Sequence, residues 1–351
     1  MIPPQDDDLH ERKIQNWNNL FNLKPANQWI TDAERGPVQR ALFGDFWLEG
    51  ELSILFSDTG RGKSTLAVQI AESLARGVPL APMEAVPPAQ RVLYFDFEMS
   101  EKQFAARYST DSAPSDSATD GVPDGSLRAH YQFSENFLRA QAAPHDELPC
   151  GYKNLTEFVQ HSFTQLLRET EARVVIVDNI TFLKGANQNP AAAVQLMKSL
   201  KHIKQYYGIS ILVLAHTPKR AFTAPLSIND LQGSNMLSNF ADNVFALGGS
   251  SQDQDLRYLK HIKQRSTGVK YDASNIILFR LAKNDCFLEF EFAGYGRERE
   301  HLEWHYEDSD TRRGELKIEV ERLKALGKSQ RQISRHLTLP LTTVNRWLAK
   351  E

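Results

Sequence analysis

From Glu51 onward the chain alternates short apolar runs with longer stretches of helical periodicity. The runs are Leu52 to Phe56, Val92 to Phe97, Val174 to Asp178 and Ile209 to Ala215, rich in Val, Ile and Leu. A strand that is apolar at successive positions buries both faces, so these runs predict a mainly parallel sheet covered by helices. Leu66, Ile70 and Leu74 share one helical face after the first run, and Phe158, Phe163, Leu166 and Leu167 cluster before the third. Both segments are expected to cover the sheet. After Asn243 the pattern is strand-like again, over Asp255 to Gln264, Ile276 to Ala282 and Phe287 to Phe292, as for antiparallel strands that extend the sheet. The expected fold class is α/β.

Polar stretches divide the chain. Residues 1–45 scatter Trp17, Phe21, Trp29 and Phe43 among polar residues and prolines, and read as a lead-in segment packed on a main domain at 46–295. Within that domain 109–125 is dominated by Ser, Asp, Pro, Thr and Gly and reads as a flexible insertion, because it has too little apolar surface to order itself. A polar stretch at 296–313 reads as a linker, followed by a small domain at 314–351. No apolar stretch approaches the ~18 residues that span a bilayer. The start, MIPPQDDDLHERK, has neither the basic end nor the apolar core of a secretory signal. With Cys150 and Cys286 as the only cysteines, a cytoplasmic setting is expected.

The first run leads into SDTGRGKST (Ser57, Asp58, Thr59, Gly60, Arg61, Gly62, Lys63, Ser64, Thr65) and then a helix. That order lets backbone N–H groups and a helix N-terminus surround the phosphates of ATP, with Lys63 reaching the β/γ phosphates and Ser64 ligating Mg²⁺. Ser57 stands where the usual pattern begins with Gly, and would pay for any positive φ there. Asp178 ends the third run and is a candidate to hold the Mg²⁺ through water, or else a turn residue. Its neighbour is Asn179 rather than Glu, so a water-activating base must come from elsewhere. Glu98, after the second run, could orient and deprotonate the attacking water from a strand beside the phosphate loop, or could simply be a helix N-terminal acid. His216 ends the fourth run and could sense the γ-phosphate or be structural. Lys263 and Arg265 share a strand face by the period of two, able to neutralise a phosphoryl group or to form an exposed basic edge.

SDTGRGKST, YFDFEMS, VVIVDN, ILVLAH, GSNMLSNFADNVFAL and KQRSTG follow one another in the order of the motifs of RecA-like ATPases of the replicative hexameric helicase branch. The chain resembles plasmid RepA-type helicases and, more distantly, DnaB-type ones, over about Phe46 to Phe292. The resemblance implies a RecA-like P-loop core that uses ATP and Mg²⁺, acts on single-stranded DNA and forms a homo-oligomeric ring, a hexamer. It also implies that Glu98 is the catalytic base and that His216 couples nucleotide state to DNA. Lys263 and Arg265 would act on the neighbouring subunit's nucleotide. The channel loops of such helicases correspond here to Thr181 to Pro190, with Lys184, and Thr217 to Asn235, with Lys219 and Arg220; solvated loops are the alternative.

Charge changes the picture only at the end of the chain. The tail from Thr311 to Glu351 holds 10 Lys and Arg against 4 Asp and Glu, a net of +6 in a chain whose total is −3. Ser329 can cap a helix carrying Ile333 and Leu337, and Pro340 suits the first turn of another carrying Val344, Trp347 and Leu348. With Glu315 to Ala325 as a preceding helix, the tail resembles a helix-turn-helix module, although a protein-docking module has the same outline. Thr342, Thr343, Asn345 and Arg346 are its candidates to contact duplex DNA. The expected function is a Mg²⁺-dependent ATPase that moves on single-stranded DNA, in replication of a plasmid or mobile element. The alternative is a DNA-binding ATPase regulator or recombination accessory protein that does not unwind.

Overall fold

The computed structural model describes residues 23–110, 129–141, 151–152, 155–179, 190–218, 224–231, 237–266, 268–302, 306–337, 339 and 341–348. Two units are distinguished, Met1–Gln39 and Arg40–Glu351. The described part of the first is a helix, α1 (Ala26–Arg35), which starts after Pro25, buries no residue and carries a Lys24–Asp32 ion pair at 2.7 Å.

In the second unit a short antiparallel pair, β1 (Ala41–Phe43) and β2 (Trp47–Leu48), precedes the main sheet. Phe43, Phe46 and Trp47 are fully buried, so the core begins at about Arg40 and Phe43 is not part of a lead-in. The strands and helices that follow are β3 (Leu52–Ser57), α2 (Lys63–Arg76), β4 (Val92–Asp96), α3 (Glu101–Arg107), β5 (Phe137–Gln141), α4 (Leu155–Thr170), β6 (Val174–Asp178), α5 (Pro190–Tyr207), β7 (Ser210–His216), β8 (Asn243–Gly249), β9 (Leu256–Gln264), β10 (Ile276–Asn284) and β11 (Phe287–Gly296). They form a nine-stranded sheet in the order β11-β10-β9-β8-β3-β7-β6-β4-β5. Neighbours from β8 to β5 are parallel, and those from β8 to β11 are antiparallel.

All six residues of β3 are buried, as a central strand covered on both faces requires. Alternate side chains enter different cores. Ile54 and Phe56 join Val175, Val213, Leu196 and Leu200 on the α4/α5 side, whereas Leu55 joins Leu66, Ile70, Leu74 and Trp47 on the α2 side. Each such side chain contributes about 1.5–3 kcal/mol on burial. Helix α2 is also fixed to the far edge of the sheet, because the Gln69 side-chain amide exchanges two hydrogen bonds with the Phe290 backbone, at 3.0 and 2.9 Å.

The sheet places β4 three strands from β3, with β7 and β6 between them, which corrects the expectation that Glu98 arrives on a strand adjacent to the phosphate loop. The registers Ser57↔His216 and Asp96↔Asp178 nevertheless bring these strand ends to one edge. Strand β5 was not foreseen at all. The 296–313 linker is corrected as well: β11 runs to Gly296, a 3₁₀ turn spans Glu298–His301, and helix α6 (Tyr306–Ala325) begins within it. Glu298 and His301 are both buried there.

The tail consists of α6, α7 (Gln330–His336) and α8 (Leu341–Leu348). Gly327, at φ +82°, ends the turn after α6, and Ser329 and Gln332 form a capping box on α7. Val320, Leu323, Ile333 and Val344 form a separate small core, with Leu337, Leu339, Trp347 and Leu348 packed against it. Ile333→Ala is expected to cost this module about 2–5 kcal/mol. In thermal unfolding of the full chain this should appear as an early, separate helix-loss transition, absent from the wild type. Among the described residues no helix is long and apolar enough to cross a membrane.

Candidate active site

The phosphate loop starts on β3 itself. Ser57 is fully buried, its hydroxyl donates to Asp58 O at 3.0 Å, and its φ is not positive, so Ser meets no conformational penalty at that place. Positive φ falls on Gly60 and Gly62, at +77° and +92°. Gly62 is required twice over, since a Cβ there would lie 2.6 Å from Phe290 Cζ. Among the described residues beyond its chain neighbours, no atom lies within 4 Å of a Cβ built on Gly60.

Helix α2 then begins at Lys63, which is 4% exposed. Burial lowers the Lys63 pKa, and the charges of Asp178 and Glu98 oppose that shift. Asp178 is fully buried at the end of β6. Its Oδ2 accepts the Tyr94 hydroxyl at 2.7 Å, while Oδ1 has no hydrogen-bond partner among the described residues. Burial raises its pKa, against the Lys63 charge and the Ser64 and Tyr94 hydroxyls. A buried carboxylate oxygen left without a partner, beside a Ser hydroxyl at a helix N-terminus, is a donor set that suits Mg²⁺. The residues therefore fit the metal and the nucleotide phosphates that the loop implies.

Glu98 reaches the same place over the end of β6, because Phe97 N–H donates to Asp178 O at 2.7 Å. Asp96 holds the segment. Its Oδ1 accepts the N–H groups of Glu98 and Met99 at 3.0 and 2.8 Å, and its Oδ2 accepts Arg139 at 2.8 Å. Arg139 also donates to Met99 O at 2.7 Å. The Glu98 Oε1 atom is 2.8 Å from His216 Nε2 and accepts the Asn179 amide. Lys63 Nζ lies 3.5 Å from His216 Nδ1. An ammonium can only donate, so Nδ1 accepts, the neutral imidazole carries its proton on Nε2, and that proton points at Glu98. The hydrogen bond from His216 holds the Glu98 carboxyl below its usual range, against burial.

Lys63, Ser64, Glu98, Asp178 and His216 thus converge. Lys263 and Arg265 do not join them: Asn243 pairs with Ser53 on one side and Gln264 on the other, so both cations lie at the opposite end of β3 from the phosphate loop. Lys263 Nζ donates to Ser238 O at 2.6 Å, and Arg265, with 47% of its side chain exposed, donates to Asn239 O at 3.0 Å. Lys184, Lys219 and Arg220 lie outside the described residues. On α8, Asn345 and Arg346 are exposed and Thr343 is half-buried; the position of Thr342 on that helix is described, its side chain is not.

Tyr94, Asp96, Arg139, Asn179 and Thr217 were missed as parts of the site. Asp96 carried a readable signal, a strand-end Asp two residues before Glu98, placed to accept backbone N–H groups. Arg139 carried none, because its strand was not recognised.

Over 220 residues the chain is 23% identical to the replicative DNA helicase DnaB of Mycoplasma genitalium, covering 59% of this chain and 44% of that one. The chain therefore spans less than half the length of that relative. A crystal structure of a KaiC-like protein from the archaeon Pyrococcus horikoshii aligns at a TM-score of 0.48 and 12% identity, over 73% of this chain and all of that one. The model of the AAA domain family matches residues 20–221, more than half of the 351, and the chain belongs to that family.

Proposed function

We propose that the chain is a Mg²⁺-dependent ATPase of the ring-forming DNA helicase type, which couples ATP hydrolysis to translocation on single-stranded DNA in replication of a plasmid or mobile element. The observation that carries the reading is the convergence of Glu98, His216 and Lys63 around the orphaned Asp178 Oδ1, with Lys263 and Arg265 at the far end of the same sheet. A phosphate site in a chain whose Lys263 and Arg265 lie out of its own reach fits a ring in which each subunit offers those cations to its neighbour's site.

In this mechanism the loop N–H groups and Lys63 hold the phosphates, and Ser64 and Asp178 hold the metal. Bound Mg²⁺ supplies charge neutralisation and polarisation of the phosphoryl oxygens. Glu98 accepts the proton of the attacking water at its carboxylate, and His216 and Asn179 orient that carboxylate. Lys63→Ala is expected to weaken ATP binding by about tenfold or more, because it removes the positive charge at the phosphate cradle. Titration with a fluorescent nucleotide reads this directly, and unchanged affinity would remove Lys63 from the cradle.

The test of the whole reading is an unwinding assay on a forked duplex, with particle size measured with and without ATP. Strand displacement by a ring supports it. ATPase activity without displacement supports the second reading, a DNA-binding ATPase regulator or recombination accessory protein, which the self-contained tail with Asn345 and Arg346 exposed also favours. Deletion is expected to separate the tail, which has its own small core, from the ATPase. Because α6 begins at Tyr306, the cut belongs after Leu302. The shortened chain should keep its ATPase and lose the salt-dependent part of duplex binding. Unchanged duplex affinity would make the tail a protein-docking module.

A further inference from the structure

Arg257, near the start of β9, is 6% exposed and places its guanidinium on main-chain carbonyls. Its Nε–H donates to Arg61 O at 3.1 Å, and its Nη1 donates to Leu256 O at 2.9 Å and to Gln254 O. It stands opposite Gly249 in the β8–β9 ladder, and the Arg61 guanidinium lies over that glycine, whose added Cβ would be 2.7 Å from Arg61 Cζ. The second half of the phosphate loop is thus laid across the ends of β8 and β9. A guanidinium keeps its charge when buried, at a free-energy cost that an apolar side chain of similar size avoids. Packing alone does not call for Arg at this place.

The bond to Arg61 O matters because of what shares its peptide unit. The Arg61–Gly62 peptide is trans and planar, so with its carbonyl turned to Arg257 the Gly62 N–H points the opposite way, away from β9. That N–H belongs to the loop donors that gather phosphates ahead of α2. Gly62 has φ +92°, and glycine takes either sign of φ, so backbone preference does not stop this peptide from turning over and presenting a carbonyl instead. The glycine itself is held from its other side, because its carbonyl accepts Leu66 N–H at 3.0 Å and the Phe290 ring fills the place of the missing Cβ. Arg257 holds the oxygen that decides which way the peptide faces.

We infer that Arg257 is a positioning residue of the phosphate loop, which fixes the Arg61–Gly62 peptide with its N–H toward the phosphates and its carbonyl away from them. The antiparallel extension of the sheet thereby has a task beyond covering the core: β9 sets the carbonyl, and β11, through Phe290, sets the glycine. The inference rests on the proposed function only in requiring that the loop take up phosphates.

Two variants of the full chain test it: Arg257→Met keeps the bulk and removes every donor, and Arg257→Lys keeps the charge and one donor group. In the ligand-free chain, hydrogen–deuterium exchange over 58–65 should rise about tenfold in Arg257→Met, while β8 and β10 exchange as in the wild type. The same variant should bind ATP about tenfold more weakly, read by titration with a fluorescent analogue. Inorganic pyrophosphate, read as a competitor, should weaken by the same factor, because a misdirected loop N–H acts on phosphate and not on the nucleoside. Arg257→Lys should lie between Arg257→Met and the wild type in all three measurements. Wild-type exchange over 58–65 in Arg257→Met overturns the assignment, as does exchange raised equally in β8 and β10, which would make Arg257 a support of the sheet. Weaker ATP with unchanged pyrophosphate, or Arg257→Lys no better than Arg257→Met, overturns it too. If the wild type binds neither ATP nor pyrophosphate, the nucleotide reading fails on that result alone, and the ligand-free exchange still decides whether Arg257 holds the loop.

Discussion

Glu98→Gln is expected to lower kcat for ATP by about 10²-fold or more while leaving nucleotide affinity near the wild-type value. The substitution keeps shape and keeps an oxygen to accept from His216 and Asn179, so the cluster should stay assembled. What is lost is the ability to take a proton from water. A rate close to that of the wild type would show that the base is another group. The pH profile adds a second measurement. Because the hydrogen bond from His216 holds the Glu98 carboxyl below its usual range, the active carboxylate persists into mildly acidic solution and is lost only as pH falls through the depressed value. His216→Ala removes the largest cause of that depression, so the acid limb of kcat should move to higher pH. A limb that moves to lower pH, or not at all, would separate His216 from the base.

Much of this arrangement could be read from the sequence because its causes are local. The apolar run Leu52 to Phe56 and the glycines at 60 and 62 dictate a buried strand and a turn of positive φ, whatever surrounds them. Strand order is not local. Nothing in Val92 to Phe97 says that two strands lie between it and β3, and Glu98 reaches the site only because Phe97 crosses the end of β6. Strand β5 escaped notice because Phe137–Gln141 is an edge strand with no fully buried residue, so its sequence shows no uninterrupted apolar run. Residues 296–313 looked like a linker because polarity alone does not tell a solvated carboxylate from a buried, paired one. Glu298 is the second kind, held by Lys260 and Leu226 N–H, and neither partner is near it in the chain.

Subunits carrying Arg265→Ala and subunits carrying Lys63→Ala, each inactive alone, are expected to regain part of the wild-type ATPase when mixed. The far-end placement of Arg265 is the reason. It sits beyond β9, whose last residue Gln264 pairs with the first residue of β8, at the opposite end of the sheet from the phosphate loop that β3 feeds. A cation so placed cannot neutralise charge at its own subunit's site, and nearly half of its side chain is exposed to meet another. In a mixed ring, some interfaces pair an intact phosphate loop from an Arg265→Ala subunit with an intact Arg265 from a Lys63→Ala subunit, and those interfaces should turn over. The Lys63 defect cannot be complemented in this way, since Lys63 is buried within its own loop. Recovery should therefore rise and then fall as the mixing ratio is varied, and should disappear when Arg265→Ala and Lys63→Ala are placed in one chain. Lys263→Ala should give a weaker form of the same behaviour, because both carbonyl partners of Lys263 lie within its own chain. If the two variants co-assemble by size and no activity returns at any ratio, Arg265 does not act across an interface.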